Sequence, residues 1–500
     1  MDGQKDIVMM TLNLLMNKIK EIVRKHYRLV LTIMFSLIVI ILYGSISNHG
    51  NIWYDEAYQL ILNENSLLNI IKYVARDFHV PFYAIGLKIV TTIFGSSPFV
   101  GRMFSLGAII GCFILSFSKI KDLFSLKTSI LFSCFLLSLS CIYFCSIEIR
   151  PYSWPMFLTL ASSVYMLSII KNKDNKSFVL YTIFSILAIY SHNIAMIYIV
   201  ISEIVFLIYL LIKNRGLIKK YLLSLLIKLI CYLPWLNVLK NQYSNLESSF
   251  WIKSPELKSF LNDCMDLFSR IDYVVYILLL MLLISFIYIK INKIKKNYLL
   301  LIYFLTTIII CYLISVYKTP LLISKYITTF IGVFILFISD ILSNIKSKIF
   351  LAILFGILVY NSYDNYKYEY KKIDEVKIKE EINYFNNSLD KLYFIHYSEF
   401  SLGEFRYYFP NAIHFYTDEI DSNLRDYELF GDNVIKLNDI SELDDMEIDT
   451  LWISNLDFVV KANNSREYFK SWKVLEYFEY TNYYYYGKNY LKMISKIDLE

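Results

Sequence analysis

Long apolar segments recur along this chain, and they constrain the fold more than any other feature. About 20 apolar residues suffice to cross a bilayer as a helix, and in lipid every backbone polar group must be satisfied inside its element. Apolar runs at 29–44, 98–118, 126–145, 152–170, 178–191, 194–212, 219–236, 272–289, 298–316, 321–339 and 349–361 predict about eleven transmembrane helices. A further run, 81–95, contains Lys88 and ends at Gly95-Ser96-Ser97-Pro98, and it reads as a helix lying at the interface. Composition agrees: 56% of residues are hydrophobic and only 19% charged, where a soluble domain carries about 25%.

Lysine placement orients the bundle, because basic loops stay on the cytoplasmic side. The N-terminal segment carries Lys18, Lys20, Arg24, Lys25 and Arg28, and every second loop after it is basic: 119–127, 171–176, 213–220, 290–296 and 346–348. The opposite face then holds loops 45–97, 146–151, 237–271 and 317–320, and the tail after the last span. The first apolar run has no small-residue cleavage site after it and is expected to be a retained helix. The expected domains are 1–361, a transmembrane catalytic unit whose first external loop is 45–97, and 362–500, an extracytoplasmic α/β domain. In that tail, 392–396 and 450–453 read as strands, 376–388 and 464–472 as helices, and Tyr483 to Tyr486 as an edge strand.

Several function classes fall away. A net charge of +6 is too small to imply a nucleic-acid partner. Seven cysteines without a C-x-x-C pair support neither a zinc site nor a disulfide framework, so they are expected in the core.

The polar residues near span ends converge on one face. Asp55, Glu56, Asp77, His79, Arg102, Glu148, Arg150, His192 and Lys325 all fall on the outer side. Ionisable groups at a bundle mouth are costly and tend to line wet cavities. Carboxylates beside cations at a lipid surface suit a phosphorylated, lipid-borne substrate: cations neutralise phosphate and a carboxylate takes a proton from a hydroxyl. Plainer roles stand beside these: Asp55 and Glu56 as a helix cap, Arg102 as a snorkelling anchor, Glu148 and Arg150 as a mutual pair. Trp53, Trp154, Trp235 and Trp251 suit an interfacial belt as well as a sugar platform.

Five elements in series resemble the GT-C fold glycosyltransferases, nearest to the protein mannosyltransferase and aminoarabinose transferase superfamily. They are Trp53-Tyr54-Asp55-Glu56-Ala57, His79-Val80-Pro81-Phe82-Tyr83, Gly95-Ser96-Ser97-Pro98-Phe99-Val100-Gly101-Arg102, Glu148-Ile149-Arg150-Pro151-Tyr152 and Tyr190-Ser191-His192. Val80 stands where that group has the first of two prolines, and Lys325-Tyr326 where relatives have Arg-Tyr. The resemblance implies a polyprenyl-phosphate-linked sugar donor used outside the cytoplasm. It implies Asp55 as catalytic base with Glu56 in support, and His79 and Arg102 near the donor phosphate. Glu148, Arg150, Tyr152, His192 and Lys325 would line the substrate cavity. No β-trefoil module is visible, so a protein acceptor is not implied.

The expected function is thus a plasma-membrane glycosyltransferase, hexosyl or pentosyl, acting on a cell-envelope glycan or lipid acceptor. The alternatives are a polytopic transporter or lipid-linked sugar flippase, and a non-catalytic scaffold. One carboxylate pair leaves a divalent cation at Asp55 or Glu56 open.

Overall fold

The structure is a computed structural model that describes residues 2–49, 51–249, 252–375, 392–421, 427–446, 448, 450–454, 462–481 and 488–496. Segment 376–388, Trp251 and the run Tyr483 to Tyr486 lie outside the described residues.

All eleven apolar segments are helical. Among the described residues, seven helices are long and apolar enough to cross a membrane, or eight if one bent pair counts as a span. The segments at 178–191 and 321–339 are short in the structure: Asn175–Ile189 has 15 residues, and Ile331–Leu342 has 12, with Ser324–Ile327 as a separate turn before it. Helix starts follow local chemistry. Ser97 caps Pro98–Leu115 by accepting from Val100 N, with proline at the first helical position; Ser125 and Asp174 cap their helices in the same way. Where Pro98–Leu115 crosses Ser153–Asn172 the helices approach closely: a Cβ on Gly111 would lie 3.0 Å from the Phe157 ring.

The expected single span 126–145 is two helices, Leu126–Leu136 and Ser140–Ser146, bent by 68°. A break leaves backbone carbonyls without helical partners, and in an apolar bundle these must be met by side chains. The helix Lys348–Glu375 meets them. Asn361 Nδ2 donates to Ser138 O and Phe268 O at 2.9 Å, Asn365 Nδ2 to Ser138 O at 2.9 Å, and Ser362 Oγ to Leu137 O at 2.8 Å. The polar residues that suggest a membrane exit at 361 are therefore spent inside the bundle. The expected 361/362 boundary falls within a continuous helix that runs to Glu375.

Loop 45–97 holds α2 (Tyr54–Leu62), α3 (Leu67–Arg76) and α4 (Phe82–Phe94), after α1 (Asp2–Ser47), which kinks at His26. All seven cysteines are unpaired, and Cys231 is exposed rather than in the core.

The C-terminal part is a six-stranded sheet: β1 (Tyr393–Ser398), β2 (Ile413–Asp421), β3 (Val434–Lys436), β4 (Thr450–Ser454), β5 (Trp472–Thr481) and β6 (Lys488–Lys496), ordered β3-β2-β1-β4-β6-β5. Strands β1 to β4 are parallel, with β1 central, and β6 runs antiparallel to both β4 and β5. Apolar Phe394 and Trp452 sit in register on neighbouring strands. The helix expected at 464–472 is shorter, Asn463–Tyr468 followed by one tight turn. The helix Glu399–Tyr408 crosses from β1 to β2 and docks on α2.

Candidate active site

Adjacent residues on a helix point about 100° apart, so Asp55 and Glu56 in the first turn of α2 cannot share one partner. Glu56 turns into the bundle. Arg102 grips it with two parallel bonds, Nε to Oε1 at 2.9 Å and Nη2 to Oε2 at 2.7 Å, and both residues are fully buried. Ile149 N also donates to Glu56 Oε1 at 3.1 Å. The rest of the guanidinium binds the carbonyls of Ser47, His49 and Asn51 at 3.2, 3.1 and 2.6 Å. Arg102 is neither a lipid anchor nor aimed at a donor phosphate, because its donors are consumed by protein acceptors. Glu56 is the ion-pair partner of Arg102. The pair clamps α1, α2, the start of the second span and the loop at Ile149 together.

Asp55 turns the other way, toward a partly open surface. Arg150 Nη2 lies 3.1 Å from Asp55 Oδ2. Arg150 therefore pairs with Asp55 and not with Glu148. The Arg150 guanidinium also lies 5.8 Å over the Tyr152 ring. Tyr152, His192 and Tyr326 form an aromatic wall, with centroids 5.1 Å apart for His192 and Tyr326 and 6.0 Å for Tyr152 and His192. His192 Nδ1 accepts from Ile194 N at 3.1 Å and so caps the following helix as neutral imidazole. Burial, with the charges of His79 and Arg150, pushes it down to about 3.

Lys325 sits in an aromatic cage, its Nζ 4.4 Å from the Phe144 ring, 4.9 Å from Tyr152 and 5.4 Å from Trp53. Its charge, with those of Lys372 and Arg150, acts on Glu148. Glu148 is buried, and among the described residues its Oε2 has no hydrogen-bond partner. Burial, helped by the Glu56 charge, outweighs these cations and raises the Glu148 carboxyl to about 8.

Asp77 and His79 complete the rim. His79 Nδ1 is 2.7 Å from Asp77 Oδ2, and Tyr58 Oη donates to the same oxygen at 3.2 Å. Burial works to raise the Asp77 carboxyl, but His79 and the bonds from Phe78 N and Tyr58 hold it down at about 2. Gln242 Nε2 fixes this turn by donating to Asp77 O at 2.5 Å and His79 O at 2.9 Å. A small cleft opens here, lined by Tyr58, Gln59, Asp77, His79, Tyr83 and Pro151.

A divalent cation does not fit the acidic pair, since each carboxylate is paired with an arginine and the two diverge. Among the described residues no group of three or more His, Cys, Asp or Glu converges as a metal site.

No family model matches the sequence, and no curated protein matches it. Solved structures do. The crystal structure of ArnT from Cupriavidus metallidurans in the apo state superposes with a TM-score of 0.62 at 10% identity, covering 92% of this chain and 97% of that one. The same enzyme bound to undecaprenyl phosphate gives 0.61 over the same shares. The chain has the GT-C fold.

Within this GT-C fold, the elements that resemble the family meet at one place: Asp55, Arg150, Tyr152, His192 and Lys325 cluster, with Glu148 behind them and Asp77–His79 beside the cleft. Sequence reasoning missed Lys372, buried near Glu148, because it lies in a charged tail beyond the apolar core of its helix. It also missed Gln242 and Glu404, single residues in unremarkable contexts whose partners come from other elements.

Proposed function

We propose that the protein is a membrane glycosyltransferase that moves a monosaccharide from a polyprenyl-phosphate donor to a hydroxyl of a cell-envelope acceptor, on the outer face. The observation that carries this reading is a partly exposed carboxylate, Asp55, held by Arg150 beside a caged ammonium, Lys325. The bound undecaprenyl phosphate of the structurally similar ArnT agrees with such a donor. The alternating lysine loops support the outer face, with residue 173 inside and residue 430 outside.

In a direct displacement, Asp55 takes the proton of the acceptor hydroxyl as that oxygen attacks the anomeric carbon. The bond from the anomeric carbon to the phosphate oxygen breaks on the opposite side, and polyprenyl phosphate leaves with the electron pair. The configuration inverts. Lys325 and Lys372 supply positive charge for the developing phosphate, with His79 at the rim, and Arg150 orients the carboxylate. The aromatic wall of Tyr152, Tyr326 and His192 offers a face for the sugar ring or the first isoprene unit.

The test is reconstitution in vesicles with polyprenyl-phosphate sugars and envelope extract. Release of free polyprenyl phosphate together with a glycosylated product is expected, and the envelope glycan that loses a sugar when the protein is deleted identifies the acceptor. Movement of the lipid-linked sugar between leaflets without any product would overturn the reading in favour of a flippase.

A further inference from the structure

The helix that carries Asp55 does not cap itself. Trp53 occupies the N-cap of α2, and its side chain accepts no capping bond. A helix start leaves backbone N–H groups that need acceptors and favours negative charge. Here the acceptor comes from the C-terminal domain. Tyr54 N donates to Glu404 Oε1 at 3.1 Å, across 350 residues of sequence, and Ile52 N donates to Tyr408 Oη at 2.8 Å. Both acceptors lie on the helix Glu399–Tyr408.

One face of that helix makes these contacts. Phe400, Gly403, Glu404 and Tyr408 recur at three- and four-residue spacing, which places them on one stripe. Phe400 meets the Tyr54 ring edge-on at 5.1 Å. Gly403 admits the same ring so closely that a Cβ there would lie 2.6 Å from Tyr54 Cδ2. Glu404 and Tyr54 are both buried. Arg406, on the same helix, binds Glu64 Oε2 at 3.0 Å just past the end of α2. At that end Lys88 Nζ donates to Asn63 O at 2.7 Å, so acid and base sit at the helix ends that favour them. The segment before α2 is held from the membrane side as well, by Arg102 on Asn51 O at 2.6 Å.

We propose that Glu404 is a positioning residue for the transfer reaction: the C-terminal domain caps α2 and sets the angle at which Asp55 meets the acceptor hydroxyl. This rests on Asp55 acting as the base. The C-terminal domain is then part of the catalytic apparatus, and any partner or ligand that shifts it on α2 changes turnover.

Three full-length proteins in vesicles test this: wild type, Glu404→Ala and Glu404→Gln, which keeps the accepting Oε1. Hydrogen exchange at amides 52–57 is read first, because it needs no activity. Glu404→Ala should speed exchange there and Glu404→Gln should not. Turnover is read second. Glu404→Ala should lower kcat about 10–100-fold with donor KM unchanged, Glu404→Gln should restore it, and Glu404→Ala added to Asp55→Asn should cost nothing more. Wild-type exchange in Glu404→Ala, an effect on donor KM alone, an equal loss in Glu404→Gln, or an equal fold-loss in the Asp55→Asn background overturns the proposal. If the wild type transfers no sugar, the proposed function fails, and the exchange data still decide whether Glu404 holds α2.

Discussion

Glu56 and Arg102 form a two-bond ion pair with no solvent access, 46 residues apart in sequence. Such a pair adds little over an apolar equivalent, but removing one member leaves a buried charge unmatched. Arg102→Leu or Glu56→Gln should therefore cost about 3–5 kcal/mol of stability. Arg102→Lys should also destabilise, because an ammonium cannot span both carboxylate oxygens and three carbonyls. Thermal unfolding in detergent checks this. An unchanged midpoint with a raised donor KM would put Arg102 back at the phosphate.

Asp55 behaves differently because it is partly exposed and its ion pair sits at the rim. Asp55→Asn should leave the unfolding midpoint close to wild type while turnover falls about 10²–10⁴-fold, the usual cost of a lost general base. A purified Asn variant with normal turnover would remove Asp55 from the chemistry.

Glu148 should make stability fall as pH rises. Its carboxyl goes from an ordinary 4.5 to about 8 in the folded protein. Below 4.5 both states hold the proton; between 4.5 and about 8 only the folded state does, so each rise in pH favours unfolding. Glu148→Gln removes this slope. Parallel midpoint-against-pH curves for wild type and Glu148→Gln would show that burial does not hold that proton.

The C-terminal sheet carries the opposite dependence. His414 Nε2 donates to Phe409 O at 3.1 Å, so its Nδ1 must accept from His396 Nε2 at 3.0 Å, and His396 Nδ1 accepts from a serine hydroxyl. Both rings are buried and neutral. Burial lowers His396, with the neighbouring His414 adding, and lowers His414 to about 4. The unfolded rings take protons near 6.5, so stability is full above that pH and is lost as pH falls toward about 4. Limited proteolysis with an enzyme active at both about pH 5 and about pH 7.5 should cut the sheet faster in acid. Equal rates would mean that the pair tolerates a proton.

Much was legible in the chain because it is local. Apolar runs predict helices wherever lipid removes water from the backbone, and each expected span contains helix, although 126–145 and 321–339 are interrupted. Phe394, Ile395, Leu451 and Trp452 alternate as strand residues do, and they form β1 and β4. The acid pair in loop 45–97, and the cations near later span ends, mark the site because polar groups at a bundle mouth need a reason. What the chain could not show by itself is which charge meets which. Glu56 and Asp55 are neighbours in sequence, yet helical rotation sends one to Arg102 in the core and the other to Arg150 at the rim. Asn361 and Asn365 look like a membrane exit, but the bend at Ser138 claims them to satisfy its carbonyls. Glu404 reads as one acid among many in a charged tail until folding sets it on Tyr54 N. Helix formation depends on neighbours a few residues away, so sequence determines it. Ion pairs, caps and bends depend on partners hundreds of residues away, and only the packed tertiary structure chooses them.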